Sequence, residues 1–465
     1  MLDIAVYSMH YSPRVLRELP YVEYFVERGL THLAGLRGSR DRLIVLTSRP
    51  VVQDVLSYHL REVCGMSEAE EAAARGRLTL MTAGPAENAS LAEALCSDAA
   101  AMARLRREVE GADRARLHMF AADPSGEELG RRLGVPLSEP STDLARYWGS
   151  KAGGKEAFRL AGVPTARCEP SLCRSADEVA VAALRLARGP GAPERIMVKL
   201  NGPEWGDAIG NMVVDTAELV RTGDIGRSID TILQPWPDFS SEIAAEGAVV
   251  EEFLADAECS PSGQGIITPD GEVRVVSSHQ QIVRSGQYVG CEFPAPERFV
   301  DQIREAVERT GRVLAERGMR GSFGIDFIGR RDGSLVAVEI NARKVATSHV
   351  LDTVEAAARA RLGADGRTPS GPVRYVHRRL HADEMRSLSP GEAVALLRRA
   401  GLLYDRARGT GVLLHILGAL PEHGYVEATA VHRTREQAVA VLADAESLLL
   451  TTAAPGKKAL NRLAP

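Results

Sequence analysis

Little in this chain of 465 residues allows its function to be read from a bulk property. The net charge is only −5 and the isoelectric point lies near 6.2, so charge alone would draw it to neither nucleic acid nor an anionic membrane. No apolar run reaches membrane-spanning length. The opening Met1-Leu-Asp-Ile-Ala-Val6 lacks the basic region and cleavage site of an export signal and reads instead as a first β-strand. The six cysteines are not spaced as metal ligands. Cys168 and Cys173 are the nearest pair, and with no second pair or His beside them they are expected to be ordinary thiols of a reducing, cytoplasmic compartment. Internal repeats and low-complexity tracts are also missing. The most telling scarcity is lysine. Of 57 Lys and Arg, only Lys151, Lys155, Lys199, Lys344, Lys457 and Lys458 are lysine. A compact ammonium and a planar guanidinium are not interchangeable, so each internal Lys needs its own reason.

The most informative stretch runs from Gly321 to Arg343. Asp332-Gly333 between two β-rich runs predicts a hairpin. Folded there, Asp326 falls opposite Glu339, Phe327 opposite Val338 and Ile325 opposite Ile340. Phe323, Ile325, Phe327, Val336, Val338 and Ile340 then form a core face, and Asp326, Glu339 and Asn341 share the other. Carboxylates directly across a ladder repel unless a cation lies between them. A few oxygen ligands of this kind suit a Mg²⁺ that keeps waters and shares its coordination with phosphates. The competing explanation is a solvated hairpin whose charges serve solubility.

Length suggests roughly three domains at about 150 residues each, and the pattern resolves into four regions. Residues 1–140 alternate strands (Leu43–Thr47, Leu78–Thr82, Leu117–Phe120) with helices, one of them spanning Ala89 to Glu110, which predicts a small parallel βα domain. Residues 141–247 hold a helix around Ser150–Leu160, a helix over Ala176–Arg188 and the strand Arg195–Leu200. Residues 248–372 open on the strand Ala248-Val-Val250 and contain the hairpin. The Gly- and Pro-rich stretch 363–372 reads as a linker to residues 373–465. There Ser389-Pro-Gly-Glu392 opens a helix, Gly411–Leu417 is a strand, and 434–450 is a helix.

Gly149-Ser-Lys-Ala-Gly-Gly-Lys155 has the Gly and Lys spacing of a P-loop, but Glu156 stands where Ser or Thr must bind Mg²⁺, and no convincing strand precedes it. Lys151 and Lys155 are better read as i, i+4 neighbours on one helix face that would attract an anion. Lys199 ends a strand and is followed by a Gly-containing loop, Asn201–Asn211, able to close over phosphates. Val249-Val-Glu-Glu-Phe-Leu254 is a strand running into acids, and Glu258 follows it. Taken singly, each of these is as well explained as a strand end or surface loop.

In order, these pieces resemble the ATP-grasp superfamily over roughly residues 145–350: a helix Lys, the strand Lys of Met197-Val-Lys-Leu200, a loop, the acidic strand Glu251-Glu-Phe-Leu254, and the pair Gly324-Ile-Asp-Phe327 and Val338-Glu-Ile-Asn341. The likeness implies that Lys151 (or Lys155) and Lys199 contact ATP phosphates. It further implies that the backbone of Glu251, Glu252, Phe253 and Leu254 reads the adenine edge, that Glu258 holds the ribose, and that Asp326, Glu339 and Asn341 bind Mg²⁺. A narrower resemblance, to the pheganomycin-type peptide ligases, rests on Leu43–Pro50, Ser278-His-Gln-Gln281, Tyr288–Ala295, Glu339–Lys344 with Thr347 and His349, and Gly411–Gly418. The fold it implies is a multidomain α/β and α+β architecture: a βα pre-ATP-grasp domain, the two-lobed ATP-grasp fold and a small α+β C-terminal domain. Val345-Ala346 replace the expected Gly-Gly, the loop carrying Trp205 is poor in Gly, and Glu292 stands where a basic residue is expected. These departures bear on substrate more than on chemistry.

The implied reaction is an ATP-dependent ligation of a small-molecule carboxylate to an amine or peptide through an acyl phosphate, in peptide natural-product biosynthesis. Neither nucleic acid nor membrane is an expected partner, and a homodimer is compatible with the sequence. Related amino-acid ligases carry an Arg two residues before the first metal Asp, where this chain has Gly324, so Arg343 and Arg284 are the candidates to stabilise the acyl phosphate and oxyanion. The alternatives are an ATP-grasp phosphotransferase and a non-catalytic ATP-binding regulator. His349 and His415 could be read as bases, although an apolar strand makes His415 a core residue.

Overall fold

The computed structural model describes residues 1–7, 19–83, 90–202, 210–284 and 287–453. The loop carrying Trp205, together with Lys457 and Lys458, lies outside these described residues. By compactness the chain forms two units: residues 1–141 with 290–293 and 345–465, and residues 142–289 with 294–344. Residues 345–372, expected with the preceding lobe, group here with the chain's two ends.

The first unit begins with a parallel sheet in which Leu2–Val6 lies between Arg42–Thr47 and Ala115–Met119, with Leu78–Thr82 at the edge beyond Arg42–Thr47. The expected helix up to Glu110 is broken in two, Leu91–Ser97 and Ala99–Glu110. The cause is local: the Asp98 carboxylate accepts from the N–H groups of Ala100 and Ala101 and starts a new helix. Later in this unit the antiparallel strands Gly411–His415, Tyr425–His432 and Arg374–His381 lie side by side. Ser389 and Glu392 form the reciprocal capping box of helix Pro390–Arg399. The expected linker contains a two-residue strand pair, Arg367–Thr368 with Gly371–Pro372.

The second unit holds two antiparallel layers. In one, Arg195–Leu200 lies between Asn211–Asp215 and Ala248–Glu252, backed by helix Ala176–Arg188. In the other, Gly321–Arg330 pairs with Leu335–Asn341 on one side and Pro261–Ile267 on the other, and Val273–Arg284 follows. Helices Lys151–Ala161 and Glu297–Glu316 bury Ala157, Phe158, Phe299 and Ile303 against Phe323, Ile325 and Phe327.

The hairpin turns where expected. Gly333 is left-handed (φ 84°), its N–H donates to the Arg330 carbonyl, and the Arg330 N–H donates to the Ser334 carbonyl. The register differs from the simple two-residue count. Asp326 faces Glu339 and Ile325 faces Ile340, but Phe327 faces Ala337 rather than Val338. One extra residue bulges beside Asp326, so Leu335 and Ala337 join this core cluster while Val338 is left half-buried; Val336 is buried but outside the cluster.

Candidate active site

Three strand ends and one helix start build a charged cluster within the second unit. Ser150 caps helix Lys151–Ala161 by accepting from the Gly153 N–H, so Gly149–Lys155 is a helix start rather than a phosphate loop. Asn201, two residues beyond Lys199, ties that start to the strand: its backbone carbonyl accepts from the Lys151 N–H at 3.2 Å and its side-chain oxygen from the Ala152 N–H at 2.9 Å. One polar residue, through its backbone and its side chain, thus sets the strand Lys and the helix Lys in fixed relation.

The anion-attracting face expected of Lys151 and Lys155 is met by acids of the chain itself. Lys151 Nζ lies 2.6 Å from Glu339 Oε2. Lys155 pairs with Glu251 Oε2, and Lys199 Nζ lies 2.5 Å from Glu251 Oε1. All three lysines are buried, as is Glu251. Burial opposes ionisation of Glu251, yet Lys199 and Lys155 hold its carboxyl below the usual range. Partners so remote in sequence leave no local signal.

Asp326 differs. Its oxygens accept from Gln281 Nε2 at 2.5 Å and Asn341 Nδ2 at 2.9 Å, and no cation pairs with it among the described residues. Burial and then the facing Glu339 push its carboxyl up to about 7. Desolvation opposes ionisation of the half-buried Glu339 too, but Lys151, followed by Lys199 and Arg343, holds it below the usual range. Two carboxylates across one ladder rung, with an amide oxygen two residues on, form an all-oxygen set with an unmet need for positive charge. Among the described residues no three His, Cys, Asp or Glu converge on a metal position. This donor set therefore fits a hard divalent cation only if phosphate and water complete the shell. Gln281 sits in the quoted Ser278–Gln281 motif, but the sequence suggested no contact with Asp326.

The remaining expected residues fall as follows. Arg343 donates to the Lys344 carbonyl at 3.0 Å, and its charge favours ionisation of both Asp326 and Glu339. Arg284 is exposed at the end of its strand, next to residues outside the described set. In the acidic strand, Glu251 lies in the ladder and the Glu252 N–H donates to the Arg167 carbonyl. The Phe253 N–H donates to the Arg195 carbonyl, while the Phe253 ring lies 4.2 Å from the Arg195 guanidinium. The Leu254 N–H has no backbone partner among the described residues. Glu258 is exposed and pairs with Arg298 at 2.7 Å.

The two histidines that could be read as bases lie elsewhere, in the first unit. His349 Nε2 is 2.8 Å from Glu427 Oε2 and His415 Nε2 is 2.7 Å from Thr429 Oγ1, both fully buried. Burial pushes both imidazoles below their usual range. Glu292, where a basic residue was expected, makes a bidentate pair with Arg435, at 2.6 Å through Nη2.

Comparison with known proteins adds independent findings. An ATP-grasp domain model matches residues 224–347, and a PGM1 C-terminal domain model matches residues 392–441. The chain is 44% identical over 450 residues to the L-propargylglycine–L-glutamate ligase of Streptantibioticus cattleyicolor, covering 96% of this chain and 93% of that one. Among solved structures, the biotin carboxylase βγ-ATP complex of Campylobacter jejuni has a TM-score of 0.59 at 12% identity, covering 97% of this chain and 94% of that one. The biotin carboxylase domain dimer of the Hydrogenobacter thermophilus 2-oxoglutarate carboxylase, with MgADP, ADP and bicarbonate, has a TM-score of 0.56 at 15% identity, covering 97% and 93%. At such identities the structures speak for the fold alone.

Proposed function

We propose, from the premise that this chain belongs to the pheganomycin-type ATP-grasp peptide ligases and is an ATP-dependent carboxylate–amine ligase, that it activates an amino acid as its acyl phosphate and joins it to the amine of a second amino acid or a peptide. The observation that carries the site assignment is the rung formed by Asp326 and Glu339, flanked by Asn341, Lys151 and Lys199. The relative is named for joining L-propargylglycine to L-glutamate. An amino-acid donor and an amino-acid or peptide acceptor are the corresponding classes for this chain.

In this reading Asp326, Glu339 and Asn341 would hold Mg²⁺, whose chemical contribution when bound is to neutralise the β- and γ-phosphates of ATP. The chain's own residues do the rest. Lys199 and Lys151 neutralise phosphate oxygens, Lys151 turning to them from Glu339. The Leu254 N–H and its neighbours meet the adenine edge. The donor carboxylate attacks the γ-phosphorus as ADP departs, and Arg343 meets the negative charge of the resulting acyl phosphate. The acceptor amine then attacks the acyl carbon, its proton is lost, and inorganic phosphate leaves. Catalysis is thus positioning and charge neutralisation of reactants that would otherwise repel.

With ATP, Mg²⁺ and candidate amino acids, turnover should require both a carboxylate and an amine and should release one ADP per amide bond. Hydroxylamine added in place of the amine should trap a hydroxamate. Stoichiometric AMP would overturn the acyl-phosphate route, and a stable phosphorylated product without an amine requirement would make the chain a phosphotransferase.

A further inference from the structure

The lysines of the site are not equivalent. Lys155 Nζ is surrounded by three oxygens: Thr165 Oγ1 at 2.6 Å, the Ala166 carbonyl at 3.4 Å and Glu251 Oε2. Thr165 and Ala166 accept hydrogen bonds from this ammonium, and Glu251 Oε2 meets its charge as an ion pair, so Lys155 is engaged on all three sides. Lys199 Nζ has one partner among the described residues, Glu251 Oε1. Lys151 Nζ also has one, Glu339 Oε2. Lys155 is anchored beyond the cluster as well. Thr165 bridges to Ala337, and the Ala337 N–H donates to the Pro164 carbonyl, so the oxygens holding Lys155 are tied to the strand that carries Glu339 and Asn341.

We propose that Lys155 is a positioning residue acting through Glu251, and that Lys199 and Lys151 alone meet the phosphates. The proposal rests on the ATP-binding reading of this site. Lys155 occupies one oxygen of the buried carboxylate, so only the other restrains Lys199. Two ammoniums sharing one carboxylate retain a net positive charge, and Lys199 keeps two protons for a polyphosphate. Without Lys155 the whole charge of Glu251 would fall on Lys199, and an incoming phosphate would have to compete with a buried carboxylate for the same ammonium. Lys155 also holds the acidic strand and the metal-side hairpin in one frame.

The proposal predicts an unusual double-mutant cycle. Affinity for a non-hydrolysable ATP analogue with Mg²⁺ is measured by calorimetry on the full chain, with melting temperature recorded for each variant. Lys155→Met should weaken binding about tenfold, and Lys155→Met/Glu251→Met should recover to within about threefold of the parent, because the competing carboxylate has gone with its second partner. In steady state Lys155→Met should raise the KM for ATP and leave kcat at saturating ATP within about threefold. The gentler pair Lys155→Gln and Lys155→Gln/Glu251→Gln reads the same cycle if the methionine variants are unstable. A double variant as weak as Lys155→Met, or weaker, would make Lys155 a direct phosphate ligand and overturn the proposal. A parent chain that binds the analogue, but whose Lys199→Met variant binds it equally well, would instead sink the underlying placement of the phosphates.

Discussion

The two units each set a carboxylate among polar partners, Glu427 fully buried and Asp326 half-buried, and the contrast between them separates a structural cluster from the one we propose as reactive. In the first unit Glu427 receives the Tyr425 hydroxyl at 2.7 Å and His349 Nε2 at 2.8 Å, with Arg28 Nη2 at 3.5 Å and His377 Nε2 at 3.7 Å. Every partner favours its charge. Burial alone would raise its carboxyl, but Arg28 and His349 hold it well below the usual range. In the second unit Asp326 receives, among the described residues, only neutral amides and faces another carboxylate. Burial and charge are common to both clusters. What differs is whether the charge is already answered, and in our proposal only the unanswered one meets a cation that arrives with substrate.

The comparison breaks most visibly at Glu427. Glu427→Gln should cost roughly 3 kcal/mol of stability, because it leaves Arg28 buried without its counter-charge. Its folded pKa is depressed, so its stabilisation is present above the unfolded value near 4.5 and is lost as pH falls through the folded one. Thermal melts of parent and variant should therefore converge in acid. Equal melting temperatures at pH 7 would show that the cluster contributes no net stability.

Asp326→Asn should behave in the opposite way. Asn keeps an acceptor for the neighbouring amides and removes the repulsion from Glu339, so the fold should be as stable as the parent or more so. Turnover, followed as ADP release, should fall a hundredfold or more, on the order of 3 kcal/mol of transition-state stabilisation. Glu339→Gln should lose turnover similarly but also some stability, since Lys151 would lose its partner. Near-normal turnover of either variant at saturating Mg²⁺ would remove the cation from this rung.

A third buried acid, in the first unit, limits that rule, because its charge is unanswered too. Glu27 is buried, and among the described residues its carboxylate accepts only the Gly418 N–H, at 3.1 and 3.2 Å. Burial pushes it up to about 7, partly offset by that N–H. Here the folded state holds the proton more tightly than the unfolded chain. Stability should therefore decline as pH rises from the unfolded value of about 4.5 to about 7, by up to about 3 kcal/mol, and level off above. Glu27→Gln should flatten that decline and exceed the parent in stability at pH 8. A parallel decline in the variant would assign the pH dependence to other groups.

Much of the second unit was legible because its signals are local. The hairpin, the strand Arg195–Leu200 and the helix Ala176–Arg188 follow from turn residues and periodicity within a few positions. The facing of Asp326 and Glu339 followed from counting back from Asp332-Gly333. The bulge beyond Asp326 did not, because it answers to packing of Ala337 and Leu335 in the core rather than to the turn. The pairings of Lys151 with Glu339 and of Lys155 with Glu251 span long sequence separations and left no trace in either segment alone. The Glu427 cluster was equally hidden. His415 could be read as a core residue from its apolar strand, but nothing near Glu427 announced that Arg28 would reach it.

The smallest expected effect tests whether an unmatched residue type implies a site. Glu292 departs from the basic residue expected at its position, which raised the prospect of a substrate contact. It is instead engaged by Arg435 through two nitrogens, and more than half of that Arg side chain is exposed at 57%. Its charge is answered, as that of Glu427 is, but at the solvent edge, where such a pair contributes at most about 1 kcal/mol. Glu292→Gln should lower the melting temperature only slightly, with the difference shrinking at high salt. Its ratio of kcat/KM across several amine acceptors should match the parent's. A changed ratio would place Glu292 against the acceptor after all, and an answered surface charge could then no longer be taken as a sign of a structural role.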